Sequence, residues 1–212
     1  MKIATWNVER LKHHKSLDII LRQIEDTSAD ILVLTETDSR LRPGYPYVYS
    51  TPTLQEIRPG FYRATENRVT ICSRYPCVRQ HSTYDKYTSI CLELDTTRGS
   101  LLVYGTIIGI YGNREKSFLP DLKNQMQDIR RLTAAGIPVC IVGDYNLSFC
   151  DNYYFTKAGR DFVLQTFTEC GIEILTKDTR ECVDHIAVTG NSFKEAFSVT
   201  EWNMDKALSD HK

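Results

Sequence analysis

The 212-residue sequence lacks the features that mark membrane, secreted and zinc-stapled proteins. No apolar run approaches the roughly 20 residues that span a bilayer, and the N-terminal MKIATWN has no signal-type apolar region. The seven cysteines are odd in number and none is spaced as a CxxC pair, so neither a disulfide framework nor a zinc site is expected. These absences favour a cytoplasmic protein without a membrane segment.

The sequence also lacks an excess of either charge, since its formal net charge is −1. Global electrostatics therefore gives no support for a nucleic-acid or membrane partner, although a basic patch can lie beside an acidic site on a neutral protein. A composition of 42% hydrophobic and 25% charged residues excludes disorder. We expect one domain over residues 1–212, folded around its own core, and a monomer.

An internal repeat organises the chain. The strand KIATWN is followed by a helical pattern over residues 16–29, with Ser16 as a plausible N-cap, and then by the buried strand DILVLTE, which ends in Glu36. About a hundred residues later, the strand SLLVYGTIIG, the helical LPDLKNQMQDIRRLTAAG and the strand IPVCIVGD repeat this order and end in Asp144. Two such units predict two facing layers, with Glu36 and Asp144 at one rim.

The remaining elements fill in around this repeat. Strands are predicted in RVTICS, SICLELD and VDHIAV, a hairpin turn in TTRG, and a helix in RDFVLQTFTECG. Residues 41–63, with four prolines and four tyrosines, look like a surface excursion of loop type.

Polar residues collect where the predicted strands end. They are Asn7 and Glu9, Glu36, Asp144 and Asn146, Asp184 and His185, and Asp210 and His211. Singly, each is explained by a turn or a solvated surface, and Asp210-His211 by a frayed terminus. Together, carboxylates with amide oxygens suit Mg²⁺ or Mn²⁺, and a further carboxylate with an Asp–His pair suits metal-assisted hydrolysis of a phosphate ester.

Five short motifs, TWNVE, LTETD, GDYN, VDHIAV and LSDH, resemble in this order the motifs of the endonuclease/exonuclease/phosphatase superfamily, which includes pancreatic-type deoxyribonucleases and exonuclease III-type repair nucleases. SRYP at residues 73–76 also looks like a frequent sequence of that superfamily, and the resemblance covers residues 3–211. It implies an α/β (α+β) fold, a four-layer α/β/β/α sandwich of two facing mixed sheets with helices outside.

The resemblance implies a metal site and its neighbours. By similarity, Asn7 and Glu36 would hold Mg²⁺, or Mn²⁺, with Glu9 close by. Asp210 would lie beside this metal or at a second metal position.

The resemblance also implies catalytic roles. Asp144 would orient or activate the attacking water, and Asn146 would contact the phosphate. His211 would bind the scissile phosphate with Asp184 as its orienting carboxylate. His185 is interpreted as a residue of the wall or a support behind the site, in preference to a ligand.

The sequence departs from the family pattern at three places. Ile107 stands where many members carry Thr-His or Tyr, so the leaving-group acid is unassigned, with a metal-bound water or Tyr111 as alternatives. Thr35-Glu36-Thr37-Asp38 replaces Gln-Glu-Thr-Lys, which weakens an apurinic-endonuclease interpretation. The family continues past SDH with another strand, so ending at Lys212 indicates either a truncated chain or a shortened member with an open sheet edge.

The substrate is left open between three hypotheses. Arg40, Arg63, Arg68 and Tyr111 are candidates to grip phosphates and stack bases, although a solvated basic surface explains them equally well. The leading hypothesis is a Mg²⁺-dependent nuclease or phosphodiesterase acting on nucleic acid. The alternatives are a phosphatase of a small phosphorylated molecule, such as an inositol phosphate or phospholipid head group, and a non-catalytic binding module.

Overall fold

The computed structural model describes residues 1–190 and 196–212. Three α-helices occur in these residues: α1 (Leu17–Thr27), α2 (Phe118–Thr133) and α3 (Lys157–Glu169). The strands are β1 (Ile3–Asn7), β2 (Ile31–Asp38), β3 (Tyr47–Ser50), β4 (Glu66–Ser73), β5 (Cys77–His81), β6 (Ser89–Thr96), β7 (Gly99–Ile107), β8 (Val139–Asp144), β9 (Ile172–Ile174) and β10 (Asp184–Thr189).

The strands form two mixed sheets. The first sheet has four strands in the order β1-β2-β4-β3, and the second has six in the order β5-β6-β7-β8-β10-β9. The pairs β1–β2 and β7–β8 are parallel and all other pairs are antiparallel. Each parallel pair is connected through a helix, α1 or α2, so the strand–helix–strand repeat predicted from the sequence is confirmed.

The side chains of the strands divide between three cores, which confirms the four-layer sandwich. The core between the sheets includes Val33, Val69, Val103 and Val142. One outer core packs α1 on the first sheet, through residues that include Trp6, Ile20, Ile24 and Leu32. The other packs α2 and α3 on the second sheet, through residues that include Leu102, Leu122, Met126, Ile141, Val163 and Phe167. Alternate residues of one strand serve two different cores, because side chains of a strand point to opposite faces.

The predicted faces of the helices are close to those observed. The apolar residues predicted for α2, Leu122, Met126, Ile129 and Leu132, are all buried, and Gly136 beyond the helix has a φ of +75°. Ser16 does precede α1, but its side chain makes no capping hydrogen bond.

Three strands were missed or misassigned by the sequence analysis. The predicted excursion at residues 41–63 contains β3, an edge strand paired with β4, because the aromatic and β-branched run Tyr47-Val48-Tyr49 outweighs the neighbouring prolines. The strands β5 and β9 had no prediction; both lie at the edges of the second sheet, where an exposed face weakens the hydrophobic pattern.

The topology places the polar strand ends at one rim. Asn7 ends β1 in the first sheet, and Asp144 ends β8 in the second. Asp184, the first residue of the antiparallel strand β10, is paired directly with Asp144. None of the helices among the described residues is long and apolar enough to cross a membrane.

Candidate active site

A hydrogen bond between Asn7 and Asp144 joins the two sheets at this rim. Asn7 Nδ2 donates to Asp144 Oδ2 over 3.1 Å, and both side chains are buried. The carbonyl side of the same amide, Oδ1, accepts the Glu9 N–H at 2.9 Å. Residues that lie 137 positions apart in the sequence are thereby held in one constellation.

Burial raises the pKa of Asp144 to about 7. The His211 imidazolium opposes this rise, whereas the carboxylates of Asp184 and Glu36 increase it and the Asn146 N–H lowers it. A carboxyl group with such a pKa can take up a proton near neutral pH, as a general base must.

The side chain of His211 is held by Asp184. His211 Nδ1 donates to Asp184 Oδ2 over 2.5 Å, and Nε2 lies 3.5 Å from Oδ1 of the exposed Asp210. Burial opposes the charged imidazole, but the carboxylates of Asp184, Asp144 and Asp210 outweigh it and raise the pKa of His211 to about 10. His211 is therefore an oriented cation at neutral pH.

The C-terminal residues reach the rim through bonds to β1 and the turn after it. Ser209 Oγ donates to the Asn7 carbonyl over 2.6 Å, across 202 positions of sequence. The Asp210 N–H donates to Glu9 Oε2 at 3.0 Å, and Trp6 Nε1 donates to the His211 carbonyl at 3.3 Å. Asp210 and His211 are thus held at the rim rather than forming a frayed end.

Left-handed backbone is concentrated at the same rim. Glu9, Arg10 and Leu11 have φ values of 45°, 53° and 53°, and Glu36 and Asn146 have values of 45° and 51°. For residues other than glycine this conformation costs energy, and such residues cluster at functional sites.

Arg10 was missed by the sequence analysis. Its Nε lies 3.5 Å from Oε2 of Glu36, the predicted metal ligand. No periodicity or motif singles out this arginine, because its position depends on the left-handed turn that follows Val8.

Asn146 links the residues that follow β7 to Asp144 through hydrogen bonds. Its backbone N–H donates to Asp144 Oδ1 at 2.8 Å, and its Nδ2 donates to the carbonyls of Ile108 at 2.9 Å and Gly109 at 3.3 Å. Asn113, also missed from the sequence, donates to the Asn146 carbonyl at 2.8 Å. The contact of Asn146 with a phosphate stays a prediction.

His185 lies in the wall behind the rim. Its Nε2 donates to the Leu147 carbonyl and its Nδ1 accepts from Thr176 Oγ1, both at 2.9 Å. Burial lowers its pKa to about 4, so the ring is neutral, and neither nitrogen is left for a metal.

Ile107 lies beside Asp144 in the β7–β8 pairing and packs into the core between the sheets. It offers no polar atom to a leaving group. Tyr111, the alternative acid, is 65% exposed, and its role is a prediction that the geometry leaves open.

The donors at the rim fit a hard divalent cation. Glu36 supplies a partly exposed carboxylate, Asn7 an amide oxygen and Asp210 an exposed carboxylate. Glu9 already bonds Lys12 Nζ at 2.6 Å and the Asp210 N–H; burial raises its pKa, but these bonds outweigh it and hold the pKa below its usual value. No group of three or more His, Cys, Asp or Glu is gathered as a metal cage among the described residues, and Mg²⁺ needs none because it keeps several waters.

Two of the arginines predicted to bind substrate are neutralised by neighbouring carboxylates. Arg40 forms a two-pronged pair with Asp38 at 2.9 and 2.8 Å. Arg63 bonds Glu66 Oε1 at 2.9 Å and the Arg10 carbonyl at 2.6 Å. Arg68, by contrast, is buried without an ion pair to any described carboxylate.

A cavity of about 280 Å³ opens beside His211. Its lining includes Asn146, Tyr153, Tyr154, Asp184 and His211. The cavity therefore lies next to the imidazolium and to the carboxylate that orients it.

A model of the endonuclease/exonuclease/phosphatase family matches residues 4–211, whereas no curated protein sequence matches significantly. Among solved structures, the chain is similar to the endonuclease domain of TRAS1, a telomere-specific non-LTR retrotransposon, with 16% identity, coverage of 99% of this chain and 94% of that one, and a TM-score of 0.68. It is also similar to the 3′ phosphatase NExo from Neisseria bound to a product DNA hairpin, with 17% identity, coverage of 90% of this chain and 87% of that one, and a TM-score of 0.63. A further similar structure is an AP endonuclease from Archaeoglobus fulgidus, with 16% identity, coverage of 89% of this chain and 86% of that one, and a TM-score of 0.60. At these identities the structural likeness concerns the fold alone.

Proposed function

Since the chain belongs to the endonuclease/exonuclease/phosphatase family, whose members hydrolyse phosphate esters, we propose that it is a Mg²⁺-dependent phosphodiesterase that cleaves nucleic acid. The observation that carries the proposal is the joined set Asn7–Asp144 and Asp184–His211 at one rim. In this set the proposed proton acceptor lies near an imidazole that is charged at neutral pH, a pairing that supports in-line hydrolysis of a phosphate ester.

Asp144 is the proposed base. Asn7 Nδ2 donates to one carboxylate oxygen of Asp144 and the Asn146 N–H donates to the other, so the orientation of the Asp144 side chain is fixed. It orients a water toward phosphorus and takes its proton, for which a pKa of about 7 is suitable.

His211 is the proposed phosphate ligand. Asp184 fixes its Nδ1, which leaves Nε2 to donate to a phosphoryl oxygen as negative charge develops there. The pKa of about 10 keeps this donor charged throughout the neutral range.

A metal would be held by Glu36 and Asn7, with Asp210 beside it. When bound, Mg²⁺ or Mn²⁺ supplies charge neutralisation to the phosphate and its leaving oxygen. The leaving-group acid stays unassigned, because Ile107 has no proton to give.

Nucleic acid is favoured as the substrate because the TRAS1 domain is an endonuclease and NExo is bound to a DNA product. A phosphatase of a small or terminal phosphate is the second candidate, favoured by the 280 Å³ cavity beside His211 and by the phosphatase activity named for NExo. We further propose that the protein is cytoplasmic and monomeric.

The test is incubation of the purified protein with end-labelled DNA and RNA, and with a panel of small phosphomonoesters, with Mg²⁺ or EDTA. We expect Mg²⁺-dependent cleavage of a nucleic acid, and near-complete loss of it in Asp144→Asn with the circular dichroism spectrum retained. Phosphate release from small esters alone would favour the second candidate. Absence of metal-dependent hydrolysis on every substrate would contradict both and favour a binding module.

A further inference from the structure

Arg68 is a buried cation without an anion. The side chain, on β4, is only 5% exposed. Its Nη2 donates to Tyr62 Oη at 3.0 Å, but its Nε is buried with no hydrogen-bond partner, and no described carboxylate pairs with it. A buried charge is costly unless it is paired, so the partner is expected to come from outside the chain.

A second guanidinium shares the same aromatic ring. The Arg68 Cζ lies 5.6 Å from the centroid of Tyr62, and the Arg10 Cζ lies 5.9 Å from it. Among the described residues, the one carboxylate contact of this pair is the 3.5 Å contact between Arg10 Nε and Glu36 Oε2. Two cations therefore converge on Tyr62 with at most one negative charge to balance them.

This cluster of Arg10, Tyr62 and Arg68 adjoins the metal ligand of the proposed site. In the β2–β4 pairing, the position of Arg68 lies opposite Glu36, between the pairs Thr35–Val69 and Thr37–Asn67. An anion bound by the cluster would consequently lie next to Glu36, on the side of the first sheet.

We propose that Arg10 and Arg68, which both approach Tyr62, bind a second phosphate, the neighbour of the scissile phosphate on the same strand. Guanidinium groups bind phosphates through paired N–H donors, and such a bond would give the Nε of Arg68 the partner that it lacks. This inference rests on the proposed function and narrows it, because a substrate that uses the subsite must carry at least two phosphates. It selects a polynucleotide over a small ester with one phosphate.

The first test is binding without catalysis. Affinity of a single-stranded oligonucleotide is measured in EDTA over a series of salt concentrations for the wild type, Arg68→Met and Arg10→Met. Each variant is expected to lower the slope of log K against log salt by about 0.7, the value for one lost phosphate contact on a single strand. Arg22→Met, an exposed arginine on α1, is the matched control and should keep the wild-type slope.

The second test is a ratio of rates. With Mg²⁺, kcat/KM is compared between the oligonucleotide and bis(p-nitrophenyl) phosphate, a diester with a single phosphate. The ratio is expected to fall about tenfold in Arg68→Met and in Arg10→Met, since a lost charged contact is worth roughly that factor.

Unchanged salt slopes, or equal losses on both esters, would overturn the inference. If Arg68→Met does not fold, Arg10→Met, whose side chain is 36% exposed, still decides the outcome. A wild type that hydrolyses neither ester would contradict the proposed function alone, because the salt slopes in EDTA need no catalysis.

Discussion

Burial favours the neutral form of Asp144, His185 and His211 alike, and the neighbouring charges decide which of them stays charged. Asp144 and His185 are both driven toward their neutral forms by burial. His211 is buried as well, yet three carboxylates nearby keep it charged. The charged histidine faces the rim, as the proposed phosphate ligand must, whereas the neutral one is bonded on both sides within the wall.

The lowered pKa of His185 predicts that this residue makes the protein less stable in acid. Its folded pKa of about 4 lies below the ordinary value of 6.5, so the unfolded chain binds more protons between these values. The free energy of unfolding should therefore fall as the pH drops from about 6.5 to 4, by about 3 kcal/mol from this residue. Thermal melting followed by circular dichroism from pH 4 to 7.5 measures it.

Because the raised pKa of Asp144 has the opposite effect on stability over this pH range, the contribution of His185 is read from the difference between the wild type and His185→Gln. The variant should be less stable than the wild type at neutral pH, and this difference should shrink as the pH drops from about 6.5 to 4. His14→Gln, which changes an exposed histidine, should keep the wild-type profile. Parallel profiles for the wild type and His185→Gln would contradict the assignment.

At the scale of elements, the end of β7 is held from two directions. From α2, the buried Gln125 accepts a hydrogen bond from Thr106 Oγ1 and donates to the Ile107 carbonyl at 3.1 Å, while Asp121 accepts the Gly109 N–H at 2.7 Å. From the other side, Asn146 Nδ2 donates to Ile108 and Gly109, and its own N–H bonds Asp144. The helix α2 is therefore linked to Asp144, the proposed base, through the end of β7 and the residues that follow it.

Gln125→Leu tests this connection. It would leave Thr106 Oγ1 and the Ile107 carbonyl without their buried partner, which should cost roughly 1–3 kcal/mol of stability. Hydrolysis should lose kcat by several-fold with little change in KM, because the base is displaced while the phosphate ligands stay. Gln165→Leu, on the exposed face of α3, is the matched control; equal kcat in wild type and Gln125→Leu would refute the link.

The elements that sequence could predict are those whose signal is local. Ile20 and Ile24 repeat at helical spacing, and the apolar run before Asp144 ends at a glycine, so α1 and β8 were recognisable. The motif residues were recognisable too, and the fold brings Asp144 and Asp184 into direct pairing. The edge strand β3 was not, because its side chains face water and leave no alternating pattern.

The residues that sequence could not predict depend on distant partners. Arg10 lies beside Glu36 because the backbone around it is left-handed, and it packs on Tyr62, which follows 52 positions later in the sequence. Gln125 and Asn113 donate hydrogen bonds to backbone carbonyls at or just after strand ends that are distant in the sequence. The sequence around each of them contains no recognisable motif. Conversely, Arg40 and Arg63 looked available for substrate until the fold paired them with Asp38 and Glu66.

At the scale of the whole molecule, the distance between the sheets sets the geometry of the site, because the Asn7–Asp144 bond crosses from one sheet to the other. The sheets approach closely at Gly105 of β7. A Cβ atom added there would lie 2.9 Å from Val69 Cγ1 and 3.2 Å from Ile71 Cδ1, both on the first sheet. Such distances are below normal contact, so a methyl group would press on the first sheet.

Gly105→Ala should therefore lower both stability and activity. Overpacking of this kind costs typically about 1–3 kcal/mol. Gly44→Ala, where a new Cβ meets nothing within 4 Å, should leave the melting temperature close to wild type. The double variant Gly105→Ala/Val69→Ala restores space and should recover part of the lost stability, giving a favourable coupling in a double-mutant cycle. Strictly additive losses in that cycle would mean that the added methyl group of Gly105→Ala does not press on Val69. Recovery of kcat together with stability would show that the spacing of the sheets determines the placement of Asp144.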